Sequence, residues 1–226
     1  MTDKIQIEGF NISYFPFQES KKLIYMIYPD MVTFTDEWQE KMANQYKVSI
    51  AVIYIPSSQW NDLLTPWPEP GEAKGFPPFA GKAESFLATL QSKIIPTVES
   101  RIRFTNNFER DLLGVSLSGL FTLWQWLQCS FFKSIASLSG SFWYNGFIEW
   151  FDSQKIQYKT GKAFFLLGKQ EPKAPVKAYQ SVGINTESIV ERLKQTGIDV
   201  EFEWVAGDHF ANPIPRAELA IGFLAS

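Results

Sequence analysis

Apolar runs alternate along the chain with segments of helical periodicity. Near-continuous apolar runs at 23–29 and 48–56 each end in proline and predict strands buried on both faces. The segment 35–45 between them has a helical period, with Thr35 as its predicted N-cap. Together these segments predict a β-α-β unit.

The same alternation continues to the end of the chain. We predict further strands at 110–116, 132–138, 163–168 and 200–205, and helices at 81–102, 117–129, 147–154, 186–197 and 216–226. Residues 5–17 alternate apolar and polar positions around Gly9, which predicts an N-terminal antiparallel hairpin. Strands that alternate with helices require a mostly parallel sheet with helices on both faces. The sequence therefore predicts a single α/β domain over residues 1–226.

The segment 59–80 interrupts this alternation. It is rich in proline and contains Gly71 and Gly75, a composition that excludes long regular structure. Loops of this length are uncommon unless they are functional, so we predict that it controls access to a site. In the helix that follows, Pro96 predicts a kink or a restart.

Composition narrows the choice of partners. The chain of 226 residues has a net charge of −3 and no basic cluster of the kind that nucleic-acid binding requires. The N-terminus lacks the apolar core of a signal peptide, and no apolar run reaches the roughly 18 to 20 residues that span a bilayer. We therefore expect a cytoplasmic protein that binds neither nucleic acid nor membranes. Cys129 is the only cysteine, which excludes an internal disulfide and a cysteine-cluster metal site.

Residues 112–121 nearly match the G-x-S-x-G motif of a nucleophile elbow, where a predicted strand runs straight into a predicted helix. With Ser116 at the centre, small residues occupy the two positions that must pass close to neighbouring backbone, Gly114 and Ser118. With Ser118 at the centre, Leu120 would have no room. We therefore predict Ser116 as the nucleophile, although the motif alone also fits a plain strand-turn-helix.

The general base and the acid should follow the serine, because folds with this elbow carry them in the order serine, acid, histidine. His209 is the only histidine of the chain and follows the last predicted strand. Glu171 follows the strand before it and is our candidate for the acid that orients the imidazole. Asp208 is an alternative, but adjacent side chains diverge, and Asp152 and Asp199 lie at less suitable ends of their elements.

A tetrahedral intermediate at this serine would need two N–H donors for its oxyanion. Leu117, at the predicted N-terminus of the helix, supplies one. The second is expected from the loop after the strand at 23–29. Because Pro29 has no N–H, the candidates there are Asp30 and Met31.

Five segments resemble the putative-esterase family of α/β-hydrolases, which contains esterase D and the ferric-enterobactin esterases. The segments are 65–70 (TPWPEP), 112–121 (LLGVSLSGLF), 137–144 (SLSGSFWY), 166–171 (LLGKQE) and 207–213 (GDHFANP). The resemblance covers most of the chain. It implies an α/β-hydrolase fold that needs no cofactor or metal and cleaves small-molecule carboxylic esters through a serine acyl-enzyme.

The resemblance also bears on the substrate pocket. Trp67, Trp143 and Tyr144 fall in segments that flank the site in relatives, which implies that they form pocket walls. The aromatic content of the chain makes a place in the core an equally good interpretation. With only two strands and two helices between the predicted serine and the predicted acid, we expect no separate lid domain.

This sequence departs from the family pattern at several positions. The elbow has Val115 where a histidine is common and Ser118 in place of glycine, and residues 28–30 replace an aspartate-glycine-asparagine type of turn. Residues 59–60 are Gln-Trp near the place where the siderophore branch tends to carry an arginine, which argues against an anionic catecholate substrate. These departures leave open a non-catalytic binding module with the same fold. An acyltransferase would use the same site, and the oligomeric state is open as well.

Overall fold

The computed structural model describes residues 2–18, 20–72, 74–102, 108–156 and 160–226. The strands in these ranges are β1 (Asp3–Ile7), β2 (Phe10–Phe15), β3 (Lys22–Pro29), β4 (Ser49–Ile55), β5 (Pro68–Glu69), β6 (Phe79–Ala80), β7 (Glu109–Val115), β8 (Ser134–Leu138), β9 (Lys162–Gly168) and β10 (Asp199–Val205). The α-helices are α1 (Asp36–Tyr46), α2 (Trp60–Leu63), α3 (Ala83–Thr89), α4 (Ile95–Glu99), α5 (Leu117–Gln128), α6 (Phe147–Ser153), α7 (Val182–Gln195) and α8 (Pro213–Ala225).

One large sheet organises the molecule, with the strand order β1-β2-β4-β3-β7-β8-β9-β10. Neighbours from β4 to β10 are parallel. The strands β1 and β2 form an antiparallel hairpin, and β2 also pairs antiparallel with β4. The remaining two strands, β5 and β6, form a separate short ribbon. The predicted mostly parallel sheet and the N-terminal hairpin are thus confirmed.

Helices cover both faces of this sheet. Helices α1 and α8 pack against one face, where Ile24 and Met26 of β3 point, whereas α3 to α7 cover the other face, where Tyr25 and Ile27 point. All four of these side chains are fully buried. Burial on both faces explains why β3 is apolar without alternation.

The predicted N-cap of α1 is confirmed. The Thr35 side chain accepts a hydrogen bond from the backbone N–H of Trp38 at the start of α1. Helix α3 continues through one π-helical turn, Leu90–Ile94, directly into α4, and this wider turn lies just before Pro96, which has no N–H to donate. Helices α7 and α8 begin four and three residues earlier than predicted.

The segment 59–80 contains α2 and the β5–β6 ribbon but no longer element. Helix α2 lies at the sheet edge where the parallel strands end. Its residues Trp60 and Asn61 line the cavities at that edge. Residue 73 of this loop lies outside the described residues. No helix in the described ranges combines the length and the apolar character that crossing a membrane requires.

Candidate active site

Ser116 lies at the sharp turn between β7 and α5. Its backbone has φ 58° and ψ −124°, a conformation that strains any residue with a side chain. Gly114 permits the turn, because a Cβ at that position would lie 2.2 Å from the backbone carbonyl oxygen of Ser118. The turn presents the Ser116 side chain to a cavity rather than to the core.

Three side chains form a continuous hydrogen-bonded chain at this turn. Ser116 Oγ lies 3.0 Å from His209 Nε2, and His209 Nδ1 lies 2.8 Å from Glu171 Oε2. The residues follow β7, β10 and β9, so the carboxyl ends of three parallel strands bring them together. A serine, an imidazole and a carboxylate in this order form the arrangement that activates a hydroxyl for attack.

The other candidate acids bond to other groups or lie far from the histidine loop. Asp208 Oδ1 accepts a hydrogen bond from the backbone N–H of Phe210, 3.0 Å away, and so closes its own loop. Asp152 pairs with Arg192 at 3.0 Å. Asp199 is the first residue of β10, at the opposite end of that strand from the histidine loop. Glu171 is the carboxylate that contacts the His209 ring.

The surroundings of Glu171 keep its carboxylate ionised. The residue is 5% exposed, and its Oε1 accepts hydrogen bonds from Ser139 Oγ at 2.6 Å and from the Gly168 N–H at 2.7 Å. Burial alone would raise the pKa of Glu171, but the hydrogen bond and charge of His209, with the bonds from Ser139 and Gly168, outweigh burial and lower it. An ionised carboxylate here can stabilise the imidazolium that forms during attack.

The ionised carboxylate of Glu171 should stabilise the fold. We expect Glu171→Gln to reduce the free energy of unfolding at about pH 7 by about 3 kcal/mol, because it breaks a buried charge pair with Arg216. A folded pKa below the unfolded value of roughly 4.3 stabilises the fold above that pH, and this contribution disappears as the pH falls through the folded pKa. The difference between wild type and variant should therefore shrink towards about pH 3.

Denaturant unfolding at about pH 7 and about pH 3 measures this difference. Asp152→Asn is the control, because it removes a carboxylate whose side chain is 57% exposed and should change little at either pH. An equal loss for Glu171→Gln at both pH values would contradict the assignment of an ionised, stabilising carboxylate.

Arg216 belongs to the site although the sequence did not indicate it. Its guanidinium, on α8, is 4% exposed and donates to Ser139 Oγ at 3.0 Å and to the Asp208 carbonyl at 2.8 Å. Burial lowers the pKa of Arg216, and the charge of Glu171 partly offsets that effect. The cation thus ties the acid loop to the histidine loop. The only sequence signal is one charged residue within the buried face of an apolar helix.

Backbone N–H groups near Ser116 define the candidate oxyanion site. Leu117 is the first residue of α5, where an N–H has no partner within the helix. The N–H of Asp30 donates to the carbonyl of Ile55 at 3.0 Å, so it is not free to bind an oxyanion. The N–H of Met31 has no acceptor among the described residues. Of the two candidates in that loop, Met31 is therefore the one whose N–H could bind an oxyanion.

Two cavities meet at Ser116 and His209, and α2 together with Phe210 forms a wall common to both. The larger one has a volume of about 740 Å³, and its walls include Glu72, Trp143, Lys173, Tyr179, Val182 and Asp208. The smaller one, of about 300 Å³, is mainly apolar, with walls that include Met31, Val32, Val115 and Leu138. The candidate nucleophile therefore has space for a substituent on either side.

The three aromatic residues predicted as pocket walls lie in different surroundings. Trp143 lines the larger cavity, and its role as a wall of the substrate pocket stays a prediction. Tyr144 is 2% exposed, and its hydroxyl donates to the Trp67 carbonyl at 2.6 Å. The Trp67 ring stacks on Phe147, and its Nε1 donates to the Asn145 carbonyl at 3.0 Å. Trp67 and Tyr144 therefore join the long loop to the core behind the cavity, and the pocket interpretation is corrected for both.

Sequence comparison places the chain among known proteins. The model of the family described as "Putative esterase" matches residues 26–203. Uncharacterized protein YbbA of Bacillus subtilis (strain 168) is 28% identical over 150 residues, which cover 66% of this chain and 60% of that protein. The chain thus matches less than two thirds of the length of this relative.

Solved structures show the same architecture. An IroE-like serine hydrolase from Shewanella oneidensis superposes with a TM-score of 0.75 at 13% identity, covering 100% of this chain and 79% of that one. Siderophore hydrolase EstA from Aspergillus nidulans gives 0.70 at 17% identity, covering 100% and 93%. Enterobactin and salmochelin hydrolase IroE gives 0.70 at 18% identity, covering 100% and 94%. At these identities the likeness establishes the α/β-hydrolase fold.

Proposed function

Because this chain belongs to the putative-esterase family, we propose that it hydrolyses carboxylic esters, with Ser116 as nucleophile, His209 as general base and Glu171 as the acid that orients the histidine. The observation that supports this most strongly is the chain of hydrogen bonds from Glu171 through His209 to Ser116, with distances of 2.8 and 3.0 Å. The positive φ of Ser116 supports the same role, since strain at an exposed serine is a feature of nucleophile elbows.

The proposed reaction has two halves. Ser116 Oγ attacks the carbonyl carbon while His209 Nε2 takes its proton, and Glu171 stabilises the imidazolium. The carbonyl oxygen becomes an oxyanion that accepts hydrogen bonds from the N–H groups of Leu117 and Met31. The imidazolium then protonates the departing alkoxide, which leaves an acyl-enzyme. Water, deprotonated by His209, attacks that acyl group and releases the acid and the free serine.

Product analysis tests this proposal. A nitrophenyl ester of a short acid should give nitrophenol and free acid in equal amounts, because water is the final acceptor. Absence of hydrolysis across a panel of nitrophenyl esters of increasing chain length would contradict the proposal. If an added alcohol captured most of the acyl group at the expense of the free acid, acyl transfer would be the activity instead.

The two cavities support a substrate whose ester bond has a bulky group on one side and a compact apolar group on the other. Trp60, Trp143 and Tyr179 give the larger cavity aromatic walls that suit a ring. Its lining is mainly acidic, since it carries Glu72, Glu171 and Asp208 against a single lysine, Lys173. Two of the similar proteins are a siderophore hydrolase and an enterobactin and salmochelin hydrolase. For this chain, the acidic lining favours a neutral or cationic ester over a polyanionic one.

This preference gives a prediction about charge. Between two aryl esters that differ only by two carboxylates on the ring, we expect the neutral ester to have a kcat/KM at least roughly tenfold higher, because like charges repel across the cavity. This difference in kcat/KM should become smaller in Glu72→Gln. Glu69→Gln, a change outside the walls of both cavities, should leave the difference unchanged. Steady-state kinetics at low ionic strength measures kcat/KM for both esters. A preference for the dianionic ester would contradict the assignment.

A further inference from the structure

The hydroxyl of Ser118 occupies an unusual place beside the elbow. The residue is the second of α5, and its side chain is fully buried. Its Oγ accepts a hydrogen bond from the backbone N–H of Val115 at 2.7 Å. The same hydroxyl can donate its single proton to the carbonyl oxygen of Ile27, 2.7 Å away, or to that of Val115, 2.8 Å away.

The bond pattern between β3 and β7 shows where this hydroxyl acts. The N–H of Glu109 donates to the carbonyl of Lys21 at 2.8 Å, at the beginning of β7. In a parallel pair such bonds recur at every second residue, and this register pairs the N–H of Val115 with the carbonyl of Ile27 at the other end. At that last position the Ser118 hydroxyl lies 2.7 Å from both groups. A side chain therefore joins the carboxyl ends of the two strands.

This hydroxyl ties the two strand ends to each other. It accepts a hydrogen bond from the last N–H of β7 and lies within hydrogen-bond distance of the Ile27 carbonyl of β3, so the relative position of these ends depends on it. Directly beyond these ends lie Leu117, two residues after Val115, and Met31, four residues after Ile27. These residues carry the two N–H groups that we propose as oxyanion donors.

We propose that Ser118 is a positioning residue that sets the gap between the two oxyanion donors, an inference that rests on the proposed ester hydrolysis. Closure of the elbow does not require this hydroxyl, because the close contact there is between Gly114 and the backbone of residue 118. The hydroxyl instead fixes the carboxyl end of β3 relative to the carboxyl end of β7. Without it, the two strand ends lose this side-chain link and can shift relative to each other.

The test compares Ser118→Ala with Ser137→Ala. Ser137 is 1% exposed and donates one hydrogen bond to the Gly119 carbonyl at 3.0 Å, so its replacement removes an equally buried hydroxyl away from the β3–β7 gap. Both variants are assayed with an ester and with its thiono analogue. Sulfur is a weak hydrogen-bond acceptor, so thiono hydrolysis depends less on the oxyanion donors.

We expect Ser118→Ala to lower kcat for the oxygen ester roughly tenfold or more, because removal of a whole oxyanion donor costs about 10² to 10³. KM should stay within about twofold of the wild-type value, and the pH profile should not shift. The ratio of oxygen-ester kcat to thiono-ester kcat should fall by the same factor as kcat for the oxygen ester. Ser137→Ala should leave that ratio unchanged, even where it lowers stability equally. An unchanged ratio in Ser118→Ala, or an equal fall in the control, would overturn the inference.

Ser118→Gly decides the question if Ser118→Ala does not fold, since glycine is the usual residue of the motif and also removes the hydroxyl. The same fall in the ratio is expected, and an unchanged ratio overturns the inference. Failure of the proposed function would look different. In that case Ser116→Ala would retain the activity of the wild type, whereas failure of this inference alone would leave Ser116 essential and the ratio insensitive to residue 118.

Discussion

Ser116→Ala is expected to lower kcat for a nitrophenyl ester by roughly 10³-fold or more, with little change in folding stability. The alanine lacks the oxygen that would form the proposed acyl-enzyme, and residual hydrolysis would come only from the oxyanion donors and from binding. The hydroxyl removed lies on the cavity rather than in the core. Steady-state kinetics and thermal unfolding of the purified variant measure the two effects separately.

A neighbouring serine provides the control for this prediction. Ser141 Oγ lies 3.4 Å from Ser116 Oγ and also lines the larger cavity, so it is another hydroxyl close to a bound ester. The two ring nitrogens of His209 bond to Glu171 and Ser116, not to Ser141, and Ser141→Ala should therefore reduce kcat less than tenfold. If the larger loss occurred at Ser141, the nucleophile would be misassigned.

His209→Ala should cause a loss of similar size, roughly 10³-fold or more, because without the imidazole the serine keeps its proton and is a weak nucleophile. His209 is the only histidine in the chain, so no other imidazole can take over as the general base. The double variant Ser116→Ala/His209→Ala should be barely less active than either single variant, since each change disables the same chemical step.

Asp208→Asn controls for disturbance of the histidine loop. The asparagine keeps the side-chain oxygen that accepts the Phe210 N–H and loses only the charge, so a change below about tenfold in kcat is expected. Losses that multiply in the double variant would contradict a shared step. A large loss in Asp208→Asn would instead favour Asp208 as the acid in place of Glu171.

Much of the fold could be predicted from the sequence because its strands are buried on both faces. Burial of β3 from Leu23 to Tyr28 gives an apolar run that marks the strand directly. The elbow was recognisable because residue 114 must be a glycine, since a Cβ there would lie 2.2 Å from the backbone carbonyl oxygen of Ser118. His209 was identifiable because it is the only histidine and follows the last strand, a place that depends on chain order alone.

The parts of the site that the sequence did not indicate depend on contacts between distant segments. Asp30 and Met31 are equivalent in the sequence, and only the pairing of β3 with β4 engages the N–H of Asp30. The directions of the Trp143 and Tyr144 side chains depend on the turn before α6. There the Trp143 ring points to the larger cavity and the Tyr144 ring points to the core. Arg216 meets the acid loop through the packing of α8, which no local pattern encodes.

Labelling with a fluorophosphonate, followed by peptide mass spectrometry, tests the central claim most directly. The reagent reacts covalently with a serine only where a base activates the hydroxyl and donors stabilise the phosphoryl oxygen. We predict one adduct, on Ser116, that is absent in Ser116→Ala and strongly reduced in His209→Ala. An adduct on another residue, or an unmodified Ser116 in a protein that still hydrolyses esters, would contradict it.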